Sequence, residues 1–196
     1  MKIFLLLYIL LFFGLAMVLP SYRVWKTTGI NPYKLGNSDS AHDYIGILFR
    51  LTLTATVVVV FLFVFLPSLY NYLIPIAYLI QPILNALGVF LLSISVIWVL
   101  IAQAHMQKSW RIGIDEDVKT ELIQTGLFKF SRNPIFLGMR MMLVGLFLVL
   151  PSAATLTILI SGDLLIQIQV RLEEEFLERT HKQAYIHYKK KIRRWL

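Results

Sequence analysis

The chain has 196 residues, 58% hydrophobic and 15% charged, with mean hydropathy +0.71, whereas soluble domains average about 45–50% apolar and about 25% charged. Leu51 to Gln107, Ile3 to Tyr22 and Met141 to Gly162 contain no Asp, Glu, Lys or Arg, and a helix needs about 20 mostly apolar residues to cross a bilayer core. These figures describe an all-α polytopic membrane protein and exclude a soluble enzyme, a disordered tail and a secreted disulfide scaffold; with no cysteine, a disulfide, a thiolate nucleophile and a Cys-ligated metal are excluded too.

Five membrane helices are expected. The first runs from about Ile3 to Val18 and stops before Pro20. Lys2, the apolar run and Gly14-Leu15-Ala16 loosely fit a signal peptide, but the run is too long, and the helix is expected to be retained. The second runs from about Tyr44 to Leu66. A short connection of Pro67-Ser68-Leu69-Tyr70-Asn71-Tyr72 follows, and the third runs from about Leu79 to Ala104. Gln107 to Arg132 is too charged to cross. Pro134 to Leu150 and Ala153 to Val170 make the last two, folded back at Pro151-Ser152, and their shortness implies tilt or local thinning of the bilayer. The natural division is residues 1–106, a three-helix membrane region, and residues 107–196, a loop, hairpin and tail.

Lys and Arg in short loops set orientation. The first loop holds Arg23, Lys26 and Lys34; the third holds Lys108, Arg111, Lys119, Lys129 and Arg132; eight more lie from Arg171 to Arg194. The connection after the second helix and the Pro151 turn hold none. The N-terminus is therefore expected outside and the tail in the cytoplasm, in a bacterial-type inner or plasma membrane; Lys2 argues weakly against this. The net charge of +8 is read as contact with anionic lipid headgroups, not nucleic acid.

Charges at membrane depth need a reason. Arg140 lies eleven residues before Pro151 and Asp163 twelve after it. At about 1.5 Å per residue the two reach nearly the same depth on adjacent arms, so an ion pair is expected, either purely structural or lining a substrate cavity. Below Asp163, Gln167, Arg171 and Glu174 continue a polar stripe at helical spacing. The stripe lines a helix interface or a pocket open to the cytoplasm.

Two segments carry a resemblance. One is Glu121-Leu-Ile-Gln-Thr-Gly-Leu-Phe-Lys-Phe-Ser-Arg-Asn-Pro-Ile-Phe-Leu-Gly138. The other is Arg171-Leu-Glu-Glu-Glu-Phe-Leu177, followed by Tyr185 and Tyr188 and closed by Arg193-Arg194-Trp195. In order and hairpin spacing they resemble the isoprenylcysteine carboxyl methyltransferase and phospholipid methyltransferase group of integral-membrane enzymes. That group carries Leu-Val-x-x-Gly-x-Tyr/Phe-x-x-x-Arg-His-Pro-x-Tyr-x-Gly, then Glu-Glu-x-x-Leu and a spaced Tyr pair. Ser109-Trp110-Arg111-Ile112-Gly113 also looks like the Ser-Trp-Arg element of bacterial members. Asn133 replaces the group's His, and Lys182 replaces the Gly usual in the turn before the first Tyr.

The resemblance implies a methyltransferase that binds S-adenosylmethionine in a pocket capped by the C-terminal helical segment. Arg132 suits the cofactor carboxylate through its bidentate fork, and Asn133 adds neutral hydrogen bonds. Glu173 and Glu174 align with the paired carboxylates and suit the ammonium or ribose hydroxyls, with Tyr185 beside them. Pro134 would start a helix with its fixed φ, and Gly138 would allow close backbone or ligand approach. Methyl transfer from a sulfonium needs alignment and water exclusion more than acid–base help; Glu174 is the candidate base for an amine acceptor, and Arg140 the candidate catalytic residue in the membrane. No metal is suggested by His42, His105, His181 and His187. A lipidic or amphipathic acceptor entering from the bilayer is expected. A sterol-type NADPH-dependent reductase, whose tail resembles the same motifs, and a small transporter or scaffold are the competing readings.

Overall fold

The computed structural model describes residues 1–29, 41–106 and 121–196. Ser109-Trp110-Arg111-Ile112-Gly113, and with it Lys34, Lys108 and Lys119 of the charge argument, lie outside the described residues. The elements, in order, are α1 (Lys2–Phe13), a π turn (Gly14–Val18), α2 (Leu19–Thr28), α3 (Ala41–Phe65), α4 (Pro67–Tyr70), α5 (Pro82–Met106), α6 (Pro134–Val149), α7 (Ala153–His181) and α8 (Gln183–Lys191). The protein is an all-α polytopic membrane protein. Among the described residues, four helical stretches are long and apolar enough to cross a bilayer: Lys2–Thr27, His42–Phe65, Pro82–Met106 and Ala153–His181. The fifth expected span, α6, has 16 residues, about 24 Å at 1.5 Å per residue against a hydrocarbon core of about 30 Å.

One helix end differs from expectation for a physical reason. The first helix does not stop before Pro20 but runs on through it. Proline has no N–H to donate to the carbonyl four residues back, here Ala16 O. That carbonyl instead accepts from Gln103 Nε2 on α5, at 2.5 Å, where the helix widens into the π turn. A partner side chain thus supplies the donor the proline lacks, as membrane helices require. The last long helix continues beyond the membrane span expected to end at Val170, to His181, as the helical spacing of Gln167, Arg171 and Glu174 requires. Arg171, Glu173 and Glu174 therefore stand on a rigid extension of a membrane helix.

The charge-free connections meet at one end of the bundle. Ile76 N–H donates to Pro151 O (2.8 Å), and Ala153 N–H donates to Ile74 O (3.0 Å). Lys2 Nζ donates to Val64 O at the same end (2.9 Å). A reciprocal capping box between Ser152 and Thr155 starts α7, which lets α6 and α7 fold back on each other after Pro151. The opposite end holds Met106, Arg132, the α7 extension and α8.

The most extensive helix pair is α5 with α6, and glycines explain it. A Cβ on Gly88 would stand 2.9 Å from Gly145 O, and one on Gly145 would stand 3.0 Å from Gly88 O. The backbones approach so closely only because both positions lack side chains, the small-residue packing that holds helices together where lipid is as apolar as leucine.

Candidate functional site

Residues 125–133 form the approach to α6. Gly126 takes φ +59, and a Cβ there would run into the His105 imidazole at the end of α5, so glycine alone fits the turn. Pro134 opens α6 at its first turn, and its carbonyl accepts from Trp98 Nε1 (2.9 Å). The α6 start is thereby pinned to α5. Asn133, at the N-cap, makes no side-chain cap; its amide reaches α7 instead.

Glu174 is the hub. Its Oε1 accepts from Asn133 Nδ2 (3.0 Å) and Arg194 Nε (3.1 Å), and its Oε2 accepts from Arg194 Nη2 (2.9 Å). Arg132 Nη2 lies 3.1 Å from Oε1 and donates to Oε2 at 3.3 Å. The side chains of Arg132 and Glu174 are 8% and 5% exposed. Three residues from two chain segments therefore converge on one buried carboxylate, and the Arg194 contact is the bidentate fork that recognises carboxylates best.

The same approach segment grips the chain near its last residues by the backbone. Arg132 N–H donates to Arg193 O (3.0 Å), Ser131 Oγ to Arg194 O (3.1 Å), and Arg132 Nη1 to Lys189 O (3.0 Å). Tyr188 Oη donates to Phe128 O (2.6 Å); burial pushes its hydroxyl up to about 12, which keeps it a neutral donor. Tyr185 is buried beside it, ring centroids 6.1 Å apart, and burial also raises its pKa. The Tyr185 hydroxyl and Arg132 Nε are buried polar atoms with no hydrogen-bond partner among the described residues. Such groups are rare unless a ligand or water meets them.

Beside the hub lies a cavity of about 330 Å³ lined by Arg171, Glu174, Glu175, Glu178, Arg179, Lys189 and Arg194. Its size falls at the lower end of small-molecule sites, about 300–1,000 Å³. The lower part of the polar stripe on α7 thus faces a pocket, not lipid. Deeper, between α6 and α7, Arg140 Nε and Asp163 Oδ1 are 2.6 Å apart, the pair expected from their symmetry about Pro151. The Trp195 ring covers the Arg140 guanidinium, with Cζ 4.6 Å from the centroid.

Of the residues singled out in the sequence, Arg132, Asn133, Glu174 and Tyr185 come together, and Pro134 places the first two. Gly138 faces elsewhere: a Cβ there would meet Val99 Cγ2 at 2.5 Å, so it serves the α5–α6 contact. Glu173 accepts from Gln169 Nε2 (2.9 Å), one helical turn back on α7, and does not join the hub. Adjacent helical residues lie about 100° apart, so one of two neighbouring carboxylates turns away. Glu174 has its lone pairs taken by four N–H contacts, which leaves it no free one for accepting a proton. Arg140 sits about three turns of α7 from the hub. Arg194, Ser131 and Trp195 were not anticipated as site residues; the Arg193-Arg194-Trp195 cluster was the available signal, but spacing does not tell which arginine turns back to α7.

A family model described as phospholipid methyltransferase matches residues 83–184, just over half the chain. The chain belongs to the phospholipid methyltransferase family. No curated protein and no solved structure matches it. The phospholipid methyltransferase match takes in α5, the approach segment, α6 and α7. It stops one residue before Tyr185, so the hub joins matched residues (Arg132, Asn133, Glu174) to Arg194 outside the match. The protein is a membrane methyltransferase of this type.

Proposed function

We propose that this membrane methyltransferase takes its methyl group from S-adenosylmethionine, held in the cavity beside Glu174, and gives it to a lipidic or amphipathic acceptor arriving from the bilayer. The observation that carries the reading is the convergence of Arg132, Asn133 and Arg194 on Glu174 at the edge of a cavity lined by both signs of charge. A zwitterionic cofactor suits mixed charge. A dinucleotide such as NADPH brings several phosphates, and the acidic side chains of Glu175 and Glu178 oppose it.

Arg171 and Arg179 are the cations for the cofactor carboxylate and Glu175 the acceptor for its ammonium or ribose hydroxyls, while Lys189 and Glu178 hold each other at 2.8 Å in the same lining. Arg132 Nε and the Tyr185 hydroxyl, buried without partners among the described residues, stand behind the Glu174 wall and not in the cavity lining. Glu174 ties α7, the approach segment and Arg194 into one wall, while Asn133 supplies a neutral donor where the group usually has His. When bound, S-adenosylmethionine supplies an electrophilic methyl on a sulfonium. The protein's part is to hold the partners in line and keep water out. In this reading residues 107–196 form the catalytic region on a membrane base of residues 1–106, with the cavity end cytoplasmic and the N-terminus outside.

Calorimetry on the full chain in detergent tests the reading. S-adenosylmethionine should bind and NADPH should not, and Arg132→Ala and Glu174→Gln should each weaken binding about tenfold or more, the scale of one charge-assisted hydrogen bond. Unchanged affinity in both variants removes the site. Transfer of labelled methyl into a total membrane lipid extract then identifies the acceptor.

A further inference from the structure

Arg140 and Asp163 pair across the α6–α7 hairpin, yet their side chains remain 31% and 32% exposed. A pair this open within membrane helices does not face hydrocarbon without cost. Its geometry says what it can face. Asp163 holds Arg140 through Nε, and Trp195 covers one face of the guanidinium. Among the described residues, the terminal nitrogens Nη1 and Nη2 have no protein acceptor. Guanidinium presents these two N–H groups as a planar fork that matches an oxyanion. An edge-on carboxylate and a ring on one face leave that fork as the open side.

The position of the pair relative to the cavity is the second argument. Glu174 and Asp163 are eleven residues apart on α7, about 16 Å along its axis. Between them lie Arg171, which lines the cavity, and Gln167, whose carbonyl and amide oxygens accept from Arg171 Nη1. A polar path therefore runs from the cavity to the pair. The consecutive residues Arg194 and Trp195 span the same path, one on Glu174 and the other on Arg140.

We infer that Arg140 is the acceptor-recognition residue: its Nη1/Nη2 fork, held by Asp163 and covered by Trp195, binds an oxyanion on the lipidic acceptor. Asp163 is a positioning residue. It keeps the guanidinium soluble in the membrane before the acceptor arrives and also moderates its pull on the anion. The inference rests on the methyltransferase reading for the word acceptor, but the oxyanion site stands on its own geometry.

The test is binding to the full chain in a nonionic detergent. The probes are dioctanoylglycerophosphoethanolamine, which carries a phosphodiester, N-acetyl-S-farnesylcysteine, which carries a carboxylate, and uncharged dioctanoylglycerol as control. At least one oxyanion-bearing probe should bind about tenfold or more tighter than the control, as one charge-assisted hydrogen bond requires, and which one binds identifies the source of the oxyanion. Arg140→Gln should erase that difference. Asp163→Asn should preserve or strengthen it, because the fork is then less neutralised. Equal weakening by both substitutions makes the pair structural only and overturns the inference, as does equal binding of the control. Arg140→Lys keeps the charge without the fork and should weaken the bound probe several-fold; it decides the matter if Arg140→Gln does not fold, and unchanged affinity there overturns the inference. S-adenosylmethionine affinity is measured alongside. Its absence in the unsubstituted chain, with oxyanion selectivity intact, overturns the cofactor reading alone.

Discussion

Arg194 returns across twenty residues of sequence to grip Glu174 with both Nε and Nη2, at 3.1 and 2.9 Å. Because Arg132 and Asn133 hold the same carboxylate, Glu174 couples the start of α6, the extension of α7 and the segment after α8. Removing one partner of a buried ion pair costs about 3–5 kcal/mol, since the survivors stay buried and unpaired. Glu174→Ala should lose stability on that scale in thermal unfolding. It should also expose the peptide bonds around Arg193 to proteolysis first, because Arg132 and Ser131 would no longer be oriented to hold their carbonyls.

The Arg140–Asp163 pair makes a separable stability prediction. An unpaired charge at membrane depth costs roughly 2.5–3.5 kcal/mol or more. Arg140→Met and Asp163→Leu should each destabilise the protein, and the double variant should recover part of the loss. Thermal unfolding of the four proteins measures the coupling. Losses that simply add show that the two side chains are energetically independent despite their 2.6 Å separation.

Lys182 sits between α7 and α8 with φ 49 and ψ −122, a conformation that belongs to glycine. Residues held in such sparse regions cost about 1–3 kcal/mol, partly offset by the greater freedom glycine has when unfolded. Lys182→Gly should therefore stabilise the fold by about 1 kcal/mol, read as a raised unfolding temperature without loss of S-adenosylmethionine binding. A lowered temperature would falsify the strain argument.

These positions show what a sequence can reveal about this fold and where it stops. Charge-free runs located the membrane helices because hydrocarbon excludes charge whatever the tertiary structure. Arg140 and Asp163 were legible because a tight hairpin turns sequence symmetry into equal depth. Pro20 misled, because the rule that proline ends a helix assumes no outside donor, and Gln103 comes from 83 positions away in sequence. Glu173 and Glu174 looked equivalent in line, yet only one can face α6. Arg194 was hidden because the chain reverses at Lys182, and spacing alone does not tell which arginine then turns back to α7.

The topology is testable without background, since the chain has no cysteine. Tyr72 is 82% exposed at the end where the charge-free connections meet, and Lys190 is exposed at the other. In intact cells an impermeant maleimide should label Tyr72→Cys and spare Lys190→Cys until the membrane is opened. The reverse pattern turns the orientation over and places the cavity outside.

Gln103 and Pro20 should behave as a functional pair. Gln103 is buried, its Nε2 satisfies Ala16 O, and its Oε1 has no partner among the described residues. Gln103→Leu removes the donor and leaves a buried carbonyl bare, at a cost of about 1–3 kcal/mol. Pro20→Ala restores a backbone N–H that can close the helix on Ala16 O, so in that background Gln103→Leu should cost much less, or even stabilise, because the orphaned Oε1 goes as well. Unfolding temperatures of the two single variants and the double measure this. Additive losses would mean that the π turn at Gly14–Val18 is set by packing and not by the missing proline donor.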